Sequence, residues 1–168
     1  MDKERYSRMV QFHDNFLDKE DLDFLRNYLL YECLHNYGEY SALDESSNES
    51  NKFYSTDFDF SNKFIISIFN KIMLRLNLQV NEVIRIHSNI QHCGMGGGYH
   101  YDDTKHTILL MVTGDNEVGF EFKKTETETE VVEFVPNRLI HFNGCEVQHR
   151  GLAPKTQNPR ITLAFKFN

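Results

Sequence analysis

The sequence predicts an α+β domain, with a helical flank followed by a β-sandwich or barrel. Three observations predict it. Two segments with helical apolar spacing lie before about residue 78. Short strand-like runs separated by turn signals fill the rest of the chain. At 168 residues and without an internal repeat, the chain is long enough for one core. The reading is therefore a single domain, 1–168, with the flank at about 1–78 and the β core at about 79–168.

The elements follow in order. Residues 9–14 read as a short strand. Asp18 or Asp21 caps a helix running to about His35, with Leu22, Leu25, Leu29 and Cys33 at helical spacing and Gly38 as a stop. Residues 39–58 are rich in Ser, Asn and acids without a period, and read as a long surface loop. Ser61 caps a second helix that carries Phe64, Ile65, Ile68, Phe69, Ile72 and Leu76 on one face. Strands are then expected at Val80–Gln91, Tyr99–Asp102, Thr107–Val112, Val118–Phe122, Glu130–Val135, Leu139–Phe142 and Arg160–Phe167. The turns between them are marked by Gly94, Gly96–Gly98, Gly114-Asp115-Asn116, Pro136-Asn137, Asn143-Gly144 and Asn158-Pro159. The Thr/Glu alternation over Thr125–Glu130 reads as a solvated hairpin edge.

Composition narrows the partners. A net charge of −7 disfavours a phosphate-backbone ligand, and nucleic acid is not the expected partner. Cys33, Cys93 and Cys145 form no even framework and no CxxC, which fits a reducing, cytoplasmic setting. No apolar run approaches a membrane span, and no basic-apolar leader opens the chain.

The chemistry-bearing residues lie in the C-terminal half. Residues i and i+2 of a strand share a face, so His100 and Asp102 project together. His149 is the candidate third ligand. Two imidazoles and a carboxylate can hold a divalent iron on one face and leave open positions for water, an oxo acid and dioxygen. On the last strand Arg160, Thr162, Ala164 and Lys166 share one face, and Ile161, Leu163, Phe165 and Phe167 the other. An inward Arg-x-Thr pair is costly without an anion, and a dicarboxylate would satisfy it through the guanidinium fork and the hydroxyl. Each fragment recurs by chance; their order and context set them apart.

In that order the residues from about 80 to 168 resemble the 2-oxoglutarate- and iron(II)-dependent oxygenases, particularly the small prolyl-hydroxylase-like branch. The resemblance implies a double-stranded β-helix, or jelly roll. It implies His100, Asp102 and His149 as iron ligands, and Arg160 with Thr162 on the distal carboxylate of 2-oxoglutarate. Asn89, on the strand before His-x-Asp, and Gln91 on the same face are implied co-substrate contacts. Fe(II), 2-oxoglutarate and dioxygen are the implied cofactors and co-substrates, with ascorbate as a candidate addition. The implied reaction is hydroxylation of a C–H bond on a protein or peptide side chain, proline first; a small-molecule substrate stays open, and so does the oligomeric state. The chain departs from the family in lacking the tyrosine that many relatives carry at Gln91 or near Leu109 or Met111. A single Gly119 stands where Gly-Gly is usual. Because Asp102 is present, hydroxylation is favoured over halogenation.

Rival readings are a nucleic-acid demethylase of the same superfamily, a non-enzymatic jelly-roll module binding a sugar or partner, and a zinc hydrolase. The Gly94–Gly98 run is read equally as a flap over the metal or as a permissive loop, and no helix follows it to cradle phosphate. His106 and His141 are read as packed or surface residues. His87 shares the Asn89 face and is read as a packed strand residue ahead of one that supports the site, Asp103 as structural and turned away from Asp102, and Arg85 as either substrate-facing or exposed. The acidic 39–58 stretch is read as solvated.

Overall fold

The computed structural model describes residues 9–39 and 52–168. Strand β1 (Val10–His13) leads to helix α1 (Lys19–Asn27), whose last turn widens into a π turn at Tyr28–Glu32. Asp18 caps α1 by accepting from the Asp21 N–H at 2.9 Å. The chain is extended again at Cys33, three residues before Asn36 opens strand β2. The predicted extension of α1 to His35 therefore stops short.

The stretch read as a loop, 39–58, contains one strand and the last residue of another. Strand β2 (Asn36–Glu39) pairs with β3 (Phe53–Asp57) as an antiparallel edge. Polar Ser, Thr and Asp in β3 hide the alternation, yet Phe53 and Ser55 are buried between exposed or half-buried neighbours. Residues 40–51 of that stretch lie outside the described residues. Helix α2 (Lys63–Leu76) is capped by Asn62 rather than Ser61: the Asn62 carboxamide accepts from the Ile65 N–H at 3.1 Å. Ser61 is instead tied to Asp59 through its own N–H and hydroxyl. Asn77 ends the helix in the left-handed region at φ 50°.

The remaining strands are β4 (Val83–Gln91), β5 (His106–Thr113), β6 (Glu117–Lys123), β7 (Thr129–Phe134), β8 (Leu139–Phe142), β9 (His149–Gly151) and β10 (Arg160–Phe167). β4 begins three residues later than predicted, after the Asn81 and Glu82 N–H groups have bonded to the Asn168 carbonyl. One sheet has the order β1-β8-β5-β10-β4-β3-β2, and a smaller one the order β7-β6-β9. From β4 onward the chain alternates between the two sheets. It visits the large one at β5, β8 and β10, and the small one at the His100 bridge to His149, at β6 and β7, and at β9. Wound this way, the two sheets form a double-stranded β-helix.

Alternation along each strand divides the core in two. Ile108, Leu110 and Val112 of β5, with Ile161, Leu163, Phe165 and Phe167 of β10, pack against Leu25, Leu29, Ile65, Ile68 and Phe69 of the helices. Leu109 and Met111, with Ala164, face Phe120, Phe122, Phe134 and Phe142 between the sheets. β5 is apolar at nearly every position because both of its faces are covered. Each fully buried Leu, Ile or Phe contributes roughly 1.5–3 kcal/mol. The helices thus brace the back of the large sheet and leave its concave face for the site. No helix among the described residues is long and apolar enough to cross a membrane. The three cysteines are free.

Candidate metal centre

Among the described residues, one group of side chains could hold a metal ion: His100, Asp102 and His149, with donor atoms all within 4.8 Å of one another. His100 Nε2 stands 3.6 Å from Asp102 Oδ1, and His149 Nε2 stands 3.7 Å from Asp102 Oδ2. His100–Asp102 is not the regular strand that was predicted. The Gly-rich run delivers only an isolated bridge, in which His100 and His149 exchange both backbone hydrogen bonds at 3.0 Å. Asp102 then donates its N–H to the Gly144 carbonyl. The alternation survives without the strand: Tyr101 is 55% exposed and Asp102 5%.

Backbone contacts fix the tautomers. His100 Nδ1 lies 3.0 Å from the Gly98 carbonyl, and His149 Nδ1 lies 3.1 Å from the Val147 carbonyl. A carbonyl only accepts, so each Nδ1 carries the proton and each Nε2 keeps its lone pair toward Asp102. The Gly94–Gly98 loop therefore positions a candidate ligand through Gly98. Burial pushes His149 down to about 4 and also lowers His100. Both imidazoles are neutral at physiological pH and available to a metal.

The carboxylate is held equally closely. Thr107 donates to Asp102 Oδ2 at 2.7 Å, and Lys166 donates to Oδ1 at 2.6 Å. Burial works to raise the Asp102 pKa, but His149, Lys166 and the two hydrogen bonds outweigh it and hold the carboxyl below its ordinary value. The Lys166 contact was not foreseen, although Lys166 shares the Arg160 face. Its signal was a cation on an inward face with no assigned anion.

Gly144 is where the backbone must come close. A Cβ there would lie 2.6 Å from Thr107 Oγ1 and 2.7 Å from both Asp102 Cβ and the Thr104 carbonyl. Gly144→Ala is expected to push Asp102 and Thr107 apart and weaken metal binding about 10- to 100-fold. Titration with zinc or Fe(II) measures this, and unchanged affinity would contradict the packing.

A cavity of about 330 Å³ opens from the centre along the concave face of β4 and β10. Behind its wall, bonded to the lining residue Gln91, Arg160 is 1% exposed. Its Nε and Nη2 both donate to Gln91 Oε1, at 3.2 and 2.6 Å. Nη1 donates to the Val118 carbonyl at 3.0 Å, and Nη2 also to the Leu152 carbonyl. All these acceptors are uncharged. Burial lowers Arg160 to about 10, which leaves it a cation at neutral pH. Thr162, 3% exposed, lines the cavity beside it, as do Asn89 and Gln91. One amide oxygen thus takes the guanidinium edge that a carboxylate takes with two. A buried cation with only uncharged hydrogen-bond acceptors, bonded to a wall residue of the cavity that the His/His/Asp centre lines, fits a dicarboxylate that reaches both.

The remaining candidates sort plainly. Arg85 lines the cavity and is held by Asp57 at 2.6 Å and Glu39 at 3.4 Å. Asp103 is exposed where Asp102 is buried, and like Tyr101 it lines the same cavity. His106 and His141 form a 3.0 Å imidazole pair away from the centre. His87, read as packed, is in the cavity wall. No tyrosine from β4, β5 or β10 enters the cavity, and Leu109 and Phe120 fill that side instead.

Several histidines are neutral in the fold. His87 is held well below its usual value by burial, and His141 is pushed down to about 4 by burial and by His106 and His13. The folded pKa values lie below the unfolded ones, so the unfolded chain binds more protons. Stability is full above pH 6.5 and falls as pH drops from there toward 4. Each such group adds a slope of up to about 1.4 kcal/mol per pH unit. Urea unfolding of the metal-free protein across that window is expected to show a falling midpoint; a flat midpoint would contradict it.

No family model and no curated protein matches the chain. Solved structures do. A prolyl-4-hydroxylase from Pseudomonas putida matches with a TM-score of 0.71 and 15% identity over 95% of this chain and 92% of that one. An oxidoreductase of the 2OG-Fe(II) oxygenase family from Burkholderia pseudomallei matches with a TM-score of 0.75 and 11% identity, over 97% and 86%. A prolyl hydroxylase from Trichoplax adhaerens, in complex with a hypoxia inducible factor peptide fragment, matches with a TM-score of 0.71 and 12% identity, over 96% and 78%. The double-stranded β-helix of this chain, with its flanking helices, is the fold these oxygenases share.

Proposed function

We propose that the protein is an Fe(II)- and 2-oxoglutarate-dependent dioxygenase that hydroxylates a C–H bond of a protein or peptide side chain, with proline the leading candidate. The observation that carries this is the pairing of two elements, one lining a cavity and the other directly behind its Gln91 wall. One is a His/His/Asp centre with both Nε2 lone pairs free, and the other is a buried Arg160 that has only neutral acceptors. A zinc hydrolase or a sugar-binding module has no need of the second element.

His100, Asp102 and His149 would hold the iron, which when bound supplies the site for dioxygen activation coupled to decarboxylation of the oxo acid. Arg160 takes the distal carboxylate, with Thr162 as a second donor and Asn89 and Gln91 as flanking contacts. Gln91 must release the guanidinium edge as the acid arrives. Thr107 and Lys166 keep Asp102 ionised and oriented. Phe142 and Phe122 pack on the His149 ring, 4.6 and 6.0 Å between centroids, and keep water from that side.

A peptide substrate is supported by the Trichoplax prolyl hydroxylase of the same fold, which was solved with a peptide fragment. Nucleic acid fits less well, because a net charge of −7 offers phosphate no basic surface in sum. Three free thiols fit a reducing, cytoplasmic setting. The direct test is succinate formation from 2-oxoglutarate with iron and oxygen, with or without added peptide. No turnover by iron-loaded protein in either case would refute the proposal.

A further inference from the structure

Among the described residues, Lys166 is the one lysine or arginine in an ion pair with the candidate metal centre. Its Nζ donates to Asp102 Oδ1 at 2.6 Å, and Thr107 donates to Oδ2 at 2.7 Å. The two donors are cross-strand partners, Lys166 on β10 and Thr107 on β5. One register row thus holds both oxygens of the carboxylate. The row continues to Arg85 on β4, but Arg85 is turned to Asp57 and Glu39 and does not compete for Asp102.

Orientation alone does not call for a charge at this position. Thr107 already holds one oxygen with a neutral hydroxyl, and a second hydroxyl or an amide could hold the other. A full charge has a consequence that a neutral donor lacks. His100 and His149 are neutral, so the three donors carry one negative charge, that of Asp102, and Lys166 cancels it. Lys166 is partly buried in the cavity wall and Asp102 is buried, so salt screens the pair little. The ammonium therefore opposes any metal ion at the centre. Coulomb repulsion grows in proportion to the charge of the ion, so a trivalent ion is opposed half as much again as a divalent one.

We propose that Lys166 is a positioning residue that also sets the oxidation state of the centre: acting through Asp102, it favours ferrous over ferric iron. This role presupposes the iron centre of the oxygenase reading and adds its redox poise. Oxidation moves one electron from the bound ferrous ion to an acceptor such as dioxygen, leaving a ferric ion and superoxide. The lysine makes that loss less favourable and keeps the resting iron in the state that the oxygenase chemistry uses.

The test is a mediated redox titration of the full chain loaded anaerobically with Fe(II), without 2-oxoglutarate, followed by the electron paramagnetic resonance signal of ferric iron. Lys166→Gln keeps a donor and removes the charge, whereas Lys166→Arg keeps both. The Gln variant should favour Fe(III) over Fe(II) at least about 10-fold more than the native chain does, a fall in midpoint potential of about 59 mV or more. The Arg variant should stay within about 3-fold of the native ratio. A merely structural role would weaken both oxidation states alike and leave the midpoint in place. An unmoved or raised midpoint in Lys166→Gln would overturn the inference, as would an Arg variant that falls as far as the Gln one. Should Lys166→Gln not fold, Lys166→Met takes its place with the same expected fall. If the native protein binds no iron, the oxygenase reading falls and takes this one with it. If it binds iron and turns over 2-oxoglutarate but its midpoint is indifferent to Lys166, this inference alone falls.

Discussion

Asp102→Ala is expected to lower Fe(II) affinity by at least about 100-fold and to abolish metal-dependent turnover. Changes one shell out from a metal commonly cost 10- to 100-fold, and Asp102 is the single anion of the centre. Its loss does more than remove a ligand. Lys166, whose Nζ lies 2.6 Å from Asp102 Oδ1, would keep its positive charge beside the site with nothing to balance it. The centre would change from a carboxylate shared by a lysine and a metal to a cation that repels the metal. Anaerobic Fe(II) titration with a parallel succinate assay measures both effects. Activity within about 10-fold of the native protein would show that Asp102 is no ligand.

The second large effect is expected at Arg160. Arg160→Met should raise the 2-oxoglutarate concentration needed for half-maximal rate by about 100-fold or more, and leave Fe(II) affinity nearly unchanged. A charge-assisted hydrogen bond contributes about 1.5–3 kcal/mol, so losing a two-pronged contact reaches that factor. Arg160→Lys keeps the charge but not the fork, and should lie between the two. The split between acid and metal is the informative readout. A variant that loses both equally would mean that Arg160 supports the fold through the Gln91, Val118 and Leu152 oxygens. Rate measurements at varied 2-oxoglutarate and fixed iron separate the two outcomes.

The site residues were legible because strand alternation is a rule of backbone geometry. Arg160, Thr162, Ala164 and Lys166 fall on the concave side of β10, and Ile161, Leu163, Phe165 and Phe167 on the helical side, as the period of two requires. His100 and Asp102 converge even though their segment makes only one bridge, because side-chain direction needs an extended backbone and not a full ladder. The Val80–Gln91 and Arg160–Phe167 runs were visible because apolar residues such as Ile86 and Ile90, or Ile161, Leu163 and Phe165, alternate with polar ones. What stayed hidden depended on contacts between distant residues. β2 and β3 carry polar faces because one side looks into the cavity and the other to solvent, so no apolar period marks them. The π turn at Tyr28–Glu32 leaves no trace in a 3.6-residue pattern. Gly144 read as a turn residue, whereas its lack of a side chain is what admits Asp102 and Thr107. His87 looked like any strand histidine until the fold placed the residue in the cavity wall.

The central claim is that one cavity holds a metal at one point and a dicarboxylate between that metal and Arg160. A crystal structure of the protein with a divalent metal and 2-oxoglutarate tests it most directly. The account predicts a metal bonded by His100 Nε2, His149 Nε2 and an Asp102 oxygen. It also predicts a far carboxylate on the Arg160 guanidinium, with Gln91 Oε1 displaced from that edge. A metal bound away from these three side chains, or an acid whose carboxylates leave Arg160 with Gln91, would contradict it.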